Sequence, residues 1–232
     1  MAAAATVAGP TIAAARADGP AVITRLSDQR TLSRWAYPLS EATVRASPLA
    51  TARAVGRLRF LTTDGQAELY VTLASTRLAS GRTWLQVEVP GRPNGQTGWV
   101  PQEALGSSHV VRGYLLVDRR SLRATLFRDG HAIFSAPVGV GKPSTITPAG
   151  HFYVLEKLTT LADPAFGPHA IGTSAYAPSL SEWPGGGVVG IHGTDEPQLI
   201  PGRPSHGCIR MRDADITRLW RTIALGTPID IT

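Results

Sequence analysis

Cysteine is nearly absent from this sequence. Cys208 is the only one in 232 residues, so no internal disulfide can form. Its thiol is left three roles: small buried filler, metal ligand or nucleophile. Lysine is almost as scarce, with two among the 23 basic residues. The arginines stand singly, with no basic run interleaved with aromatics, which argues against nucleic acid as a partner despite a net charge of +6. A positive balance of this kind also suits contact with anionic polymers. No apolar run approaches the ~20 residues of a membrane span, so the chain reads as soluble or exported, not integral to a membrane. Cys-x-x-Cys and His-Glu-x-x-His spacings are missing too. That weakens a zinc site built on His192, His206 and Cys208, and the expectation is no metal and no cofactor.

What is present is punctuation: 24 Gly and 18 Pro lie between short apolar runs, the texture of many turns and short strands. A chain of this length makes one large or two modest domains. Residues 1–40 are rich in Ala, Gly, Pro and Arg and read as a leader remnant or disordered linker. Within them Ala14-Ala15-Arg16-Ala17 resembles the small-x-small site of a signal peptide. From Glu41 the texture changes. In Thr83–Val89, Trp84, Gln86 and Glu88 fall on one face and Leu85, Val87 and Val89 on the other, as in a half-buried strand. Pro90-Gly91-Arg92-Pro93-Asn94-Gly95 is a dense turn signal joining it to Thr97-Gly98-Trp99-Val100 in a hairpin. The span 41–106 resembles a small bacterial SH3-like barrel, which implies either wall or peptide binding or a plain spacer.

After Gly106-Ser107-Ser108 a second unit is expected over 112–232. Strands are predicted at Tyr114–Asp118, Arg123–Phe127, Ala132–Gly141 and Phe152–Leu155. Asp163–Trp183 is an irregular stretch, read as a functional loop or a mere connection. Val188–Ile191 reads as a buried strand delivering His192 at its end. Asp213–Trp220 predicts one short helix, with Asp213 as N-cap and Ile216 and Leu219 inward. Ile229-Asp230-Ile231 reads as a closing strand.

A thiol attacks as thiolate, so a nucleophilic Cys208 needs a base nearby. His206 lies two residues away and shares a face with it if the segment is extended. His192 lies sixteen residues ahead, with Pro197, Pro201 and Pro204 supplying turns for the return. The order His192-then-Cys208 disfavours a papain-like protease, whose Cys comes first. Gly193 has no side chain, so its carbonyl is a plausible orienter of the imidazole, and amides near Gly207 and Cys208 are candidate oxyanion donors.

Ile191-His192-Gly193-Thr194 followed by Ser205-His206-Gly207-Cys208-Ile209-Arg210-Met211 resembles the signature of the L,D-transpeptidase catalytic domain of the YkuD type. The resemblance implies a mostly β fold: a β-sandwich with one short helix, preceded here by the SH3-like barrel. It implies Cys208 as nucleophile and His192 as its base, working as a thiolate–imidazolium pair. Gly193, Ser205, His206, Gly207 and Arg210 would support the pair or bind substrate, and 163–183, with Tyr176 and Trp183, would form a lid. The implied reaction is cross-linking of peptidoglycan stem peptides through a cysteinyl thioester, by a monomer in the cell envelope. An L,D-carboxypeptidase, an enzyme attaching protein to peptidoglycan, and a wall-binding module with a silent catalytic half are the alternatives.

Overall fold

The computed structural model describes residues 22–159, 163–178 and 184–232. The leader-like residues before 22 and Trp183 lie outside these. The described chain forms two sheets that divide near Val111. The first has eight short strands: β1 (Ile23–Arg25), β2 (Ser33–Ala36), β3 (Thr43–Arg45), β4 (Ala54–Arg57), β5 (Tyr70–Arg77), β6 (Thr83–Glu88), β7 (Thr97–Pro101) and β8 (His109–Val111). Their order is β4-β3-β7-β6-β5-β2-β8, with β1 also on β5. Val44, Tyr70, Val87 and Val100 enclose one apolar core with Leu58 and Ala104. β6 and β7 are antiparallel, with Gln86 opposite Trp99.

This sheet reaches beyond 41–106. Within the expected leader or linker, residues 23–25 and 33–36 are strands, and Ser33, Trp35 and Ala36 are buried. Strands of three or four residues are too short for a period of two to show.

The second sheet contains β9 (Tyr114–Asp118), β10 (Arg123–Arg128), β11 (His131–Pro137), β12 (Gly139–Gly141), β13 (Gly150–Thr159), β14 (His169–Tyr176), β15 (Val188–His192), β16 (Gly202–Ser205), β17 (Ile209–Arg210) and β18 (Pro228–Ile231), with one helix, α1 (Asp213–Thr222). β13 joins two layers. Its residues 150–153 pair with β18, and from Val154 it pairs with β14. The result is a β-sandwich: Leu115, Val117 and Phe152 meet Ile191 and Ile209 in a single core, closed by Ile216 and Leu219 of α1.

Two expectations change here. The run 132–141 is two strands, and β12 has crossed to pair with β16 and β17. The stretch 163–183 is not irregular throughout, since His169–Tyr176 is an inner strand between β13 and β15. Its residues from Ile171 onward are all buried, so no alternation marks it.

The two sheets share an interface. Trp35, Leu69 and Val71 pack on Tyr153 and Leu155, and the Tyr153 hydroxyl donates to the Leu69 carbonyl at 3.1 Å. Glu88 departs from the half-buried face expected of β6 and is only 4% exposed. It accepts from Ser174 Oγ and from Gln29 Nε2, each at 3.2 Å. Burial raises its pKa to about 7, against the pull of those two donors. The folded chain thus keeps a proton that the unfolded chain releases near 4.5. Stability from this group is full below 4.5 and is lost as pH rises through about 7. Glu88→Gln is expected to gain about 1–3 kcal/mol over wild type at pH 8 and little at pH 4. Urea unfolding at the two pH values checks this; equal gains at both would contradict it.

Candidate active site

β15 and β17 run parallel, with Ile191 opposite Ile209 and His192 opposite Arg210. The Met211 amide donates to the His192 carbonyl at 2.8 Å. This register brings His192, at the end of β15, to the same edge as Cys208, just before β17. The residues between them form a short turn at Pro197–Leu199 and then β16.

His192 is buried. Its Nδ1 lies 2.7 Å from the Gly193 carbonyl oxygen. A carbonyl only accepts, so Nδ1 carries the proton and Nε2 the basic lone pair. The Phe166 ring leans on the imidazole, centroids 4.8 Å apart. Around them, the Gly193 amide donates to the Phe166 carbonyl at 2.8 Å and the Thr194 amide to Asp213 Oδ1 at 3.1 Å. A Cβ on Gly193 would lie 2.3 Å from that oxygen, and one on Gly167 2.4 Å from it. Two glycines and a carboxylate therefore hold the loop that orients the imidazole. Asp213 is accordingly not the helix cap. Arg212 holds the N-cap position without a side-chain bond, and Asp213, the first helical residue, turns its carboxylate to Thr194.

Cys208 is half-buried. Residues 206–208 form a bend with Gly207 at φ 131°, so the extended geometry that would put His206 and Cys208 on one face is absent. Ser205 Oγ donates to the Cys208 carbonyl at 2.6 Å and accepts from the Gly207 amide at 3.1 Å. Thr147 Oγ1 pins the same bend, donating to the Gly207 carbonyl at 2.8 Å and accepting from the Gly141 amide at 2.9 Å. Of the two expected oxyanion donors, the Gly207 amide is engaged by Ser205, while the Cys208 amide has no acceptor among the described residues. Arg210 Nη1 donates to Glu196 Oε2 at 3.0 Å, and its Nε is buried without a partner among the described residues.

Cys208, His192, Ser205, His206, Gly207 and Arg210 line one cavity of about 380 Å³, together with Phe166, Ala177 and Val189. Burial pushes the His192 pKa down to about 4; the Gly193 carbonyl opposes this and the Arg210 charge adds to it. Burial also pushes the Cys208 thiol up, against the Gly190 amide and the Arg210 charge, which favour the anion. Burial thus disfavours the charged form of both groups and opposes the thiolate–imidazolium form that the resemblance implies. Desolvation at this depth penalises both charges more than their neighbours repay.

Phe166, Thr147, Glu196 and Asp213 were not among the expected site residues. Thr147 and Phe166 reach the site only through long-range folding, and Asp213 carried a signal that reads as helix capping. Among the described residues no three His, Cys, Asp or Glu side chains are grouped to hold a metal ion. No helix among them is long and apolar enough to cross a membrane.

Residues 112–231, which include Cys208 and His192, match the family described as the L,D-transpeptidase catalytic domain. The L,D-transpeptidase YkuD of Bacillus subtilis is 31% identical over 141 residues, covering 61% of this chain and 77% of that protein. YqjB of the same organism, which also bears the L,D-transpeptidase name, is 31% identical over 127 residues, 51% of this chain and 70% of its own. A crystal structure of an Enterococcus faecium L,D-transpeptidase is 26% identical with a TM-score of 0.40, covering 51% of this chain and 49% of that one. One from Mycobacterium tuberculosis is 14% identical with a TM-score of 0.43, covering 65% of this chain and 90% of the other. The sequence match over just over half of its length shows that the chain belongs to the L,D-transpeptidase catalytic domain family of the YkuD type.

Proposed function

We propose that this protein is an exported peptidoglycan L,D-transpeptidase of the cell envelope, with Cys208 as nucleophile and His192 as general base. Family membership supports the substrate class. The observation that carries the assignment of roles is the cavity lined by both Cys208 and His192, whose imidazole keeps a basic Nε2 because Nδ1 is held by the Gly193 carbonyl.

His192 Nε2 takes the thiol proton as Sγ attacks the carbonyl that links the L-centre of the stem's diamino acid to its terminal D-Ala. The carbon–nitrogen bond breaks, D-Ala leaves with the proton returned by His192, and a thioester remains on Cys208. An amine of a second stem then attacks the thioester. His192 takes the amine proton, the carbon–sulfur bond breaks, and the thiol is restored as the cross-link forms. The Cys208 amide, which has no acceptor among the described residues, is the donor this reading assigns to the developing oxyanion. Arg210, held by Glu196, offers its remaining donors to a substrate carboxylate. The first sheet serves as an SH3-like module beside this centre.

Incubating the protein with purified disaccharide-tetrapeptide and analysing the products by mass spectrometry tests this reading. Dimers joined between two diamino-acid residues, with release of D-Ala, are expected. Free tripeptide without dimers would make water the acceptor and the enzyme an L,D-carboxypeptidase. No release of D-Ala would overturn the assignment.

A further inference from the structure

The loop joining β6 to β7 does more than close a hairpin. β13 pairs with β14 only as far as Thr173, because its earlier residues have turned to β18. On that side the next backbone groups of β14 need another partner, and the first sheet supplies it. The Tyr176 amide donates to Asn94 Oδ1 and Asn94 Nδ2 donates to the Tyr176 carbonyl, each at 2.8 Å. The Asn94 carboxamide thus stands in for a strand residue at the end of β14.

Arg92 completes the arrangement. Its Nε and Nη2 donate to the Ala177 carbonyl at 3.3 and 3.0 Å, and its Nη1 to the Gly186 carbonyl at 2.9 Å. Its guanidinium lies over the Tyr176 ring at 5.0 Å. Ala177 and the neighbour of Gly186, Gly187, both line the cavity that holds Cys208 and His192. Ala177 Cβ is also 3.6 Å from where a Cβ on Gly207 would be. A planar guanidinium holds two carbonyls at a fixed separation, which a single ammonium cannot do. The Ala177 amide already donates to the Gly187 carbonyl at 2.8 Å, and Arg92 braces this junction between the end of β14 and the start of β15, and with it one wall of the cavity, from the other sheet.

We infer that Arg92 and Asn94 are positioning residues for the acyl donor, so that the first sheet completes the wall against which the stem peptide is held. The identity of the donor rests on the function proposed above; the construction of the wall does not. A wall displaced by about 1 Å can cost as much as ~10²-fold in reaction rate. Here the shift would be felt mainly in binding, because neither residue reaches the sulfur or the imidazole.

The test uses the full chain as wild type, Arg92→Ala, Arg92→Lys and Asn94→Ala, with melting temperature followed for each. Two readouts are taken: KM and kcat for D-Ala release from tetrapeptide, and the ratio of Cys208 alkylation rates by iodoacetamide and by the bulkier N-phenylmaleimide. Arg92→Ala and Asn94→Ala are expected to raise KM about tenfold, with kcat within about threefold of wild type. The alkylation ratio should shift severalfold. Arg92→Lys should resemble Arg92→Ala, because charge alone does not bridge two carbonyls. An unchanged KM with an unchanged ratio would overturn the inference, as would full rescue by lysine. If wild type releases no D-Ala, the proposed function fails, and the alkylation ratio alone decides whether the wall is built as described.

Discussion

Cys208→Ala is expected to lower D-Ala release and stem cross-linking by at least about 10⁴-fold while leaving the fold in place. The size of the loss follows from the chemistry, since without sulfur there is no covalent intermediate and no second thiol to replace it. Preservation of the fold follows from how the bend is held. Ser205 bonds to the Cys208 carbonyl and Thr147 to the Gly207 carbonyl, and neither uses the thiol. The side chain is half-buried at a cavity wall, so its truncation should change stability by no more than about 1 kcal/mol. Turnover measured beside thermal melting checks both halves. Retained activity in the variant would remove Cys208 from the mechanism.

His192→Gln should cost about 10²–10⁴-fold in turnover and slow alkylation of Cys208 by iodoacetamide at neutral pH. Burial disfavours the charged form of both groups, so on the proposed mechanism the thiol needs a base at the moment of attack. The same ionisation sets the pH profile. The imidazole works only when unprotonated, so kcat/KM should fall as pH drops through about 4 and stay level up through neutrality. A profile falling through the ordinary histidine range near 6.5 would instead point to a base closer to solvent. Unchanged alkylation in His192→Gln would assign the role to the exposed His206.

The family and several of the residues that line the cavity were legible in the sequence because they sit in two contiguous stretches, Ile191–Thr194 and Ser205–Met211. The β6–β7 hairpin was legible as well, through its alternation and its Pro90–Gly95 turn. What escaped is set by depth and distance. β14 is buried on both faces and so shows no period, and β1, β2 and β8 are too short to show one. Thr147 meets the bend from sixty residues away. Asp213 at the start of a helix reads as a cap, yet the close approach of Gly167 and Gly193 draws its carboxylate to the base loop instead. The shifts of His192 and Cys208 away from their charged forms could not be foreseen from residue types, because burial is the largest cause of both. Arg92 and Asn94 read only as turn residues; their second role depends on where β13 leaves β14.

The most direct measurement is the intact mass of the protein, quenched in acid during turnover of tetrapeptide stems and then mapped by digestion. Wild type should carry one acyl group, lacking the terminal D-Ala, on Cys208, and Cys208→Ala should carry none. Release of D-Ala with no adduct on Cys208, or an adduct on another residue, would contradict a cysteinyl thioester as the working intermediate.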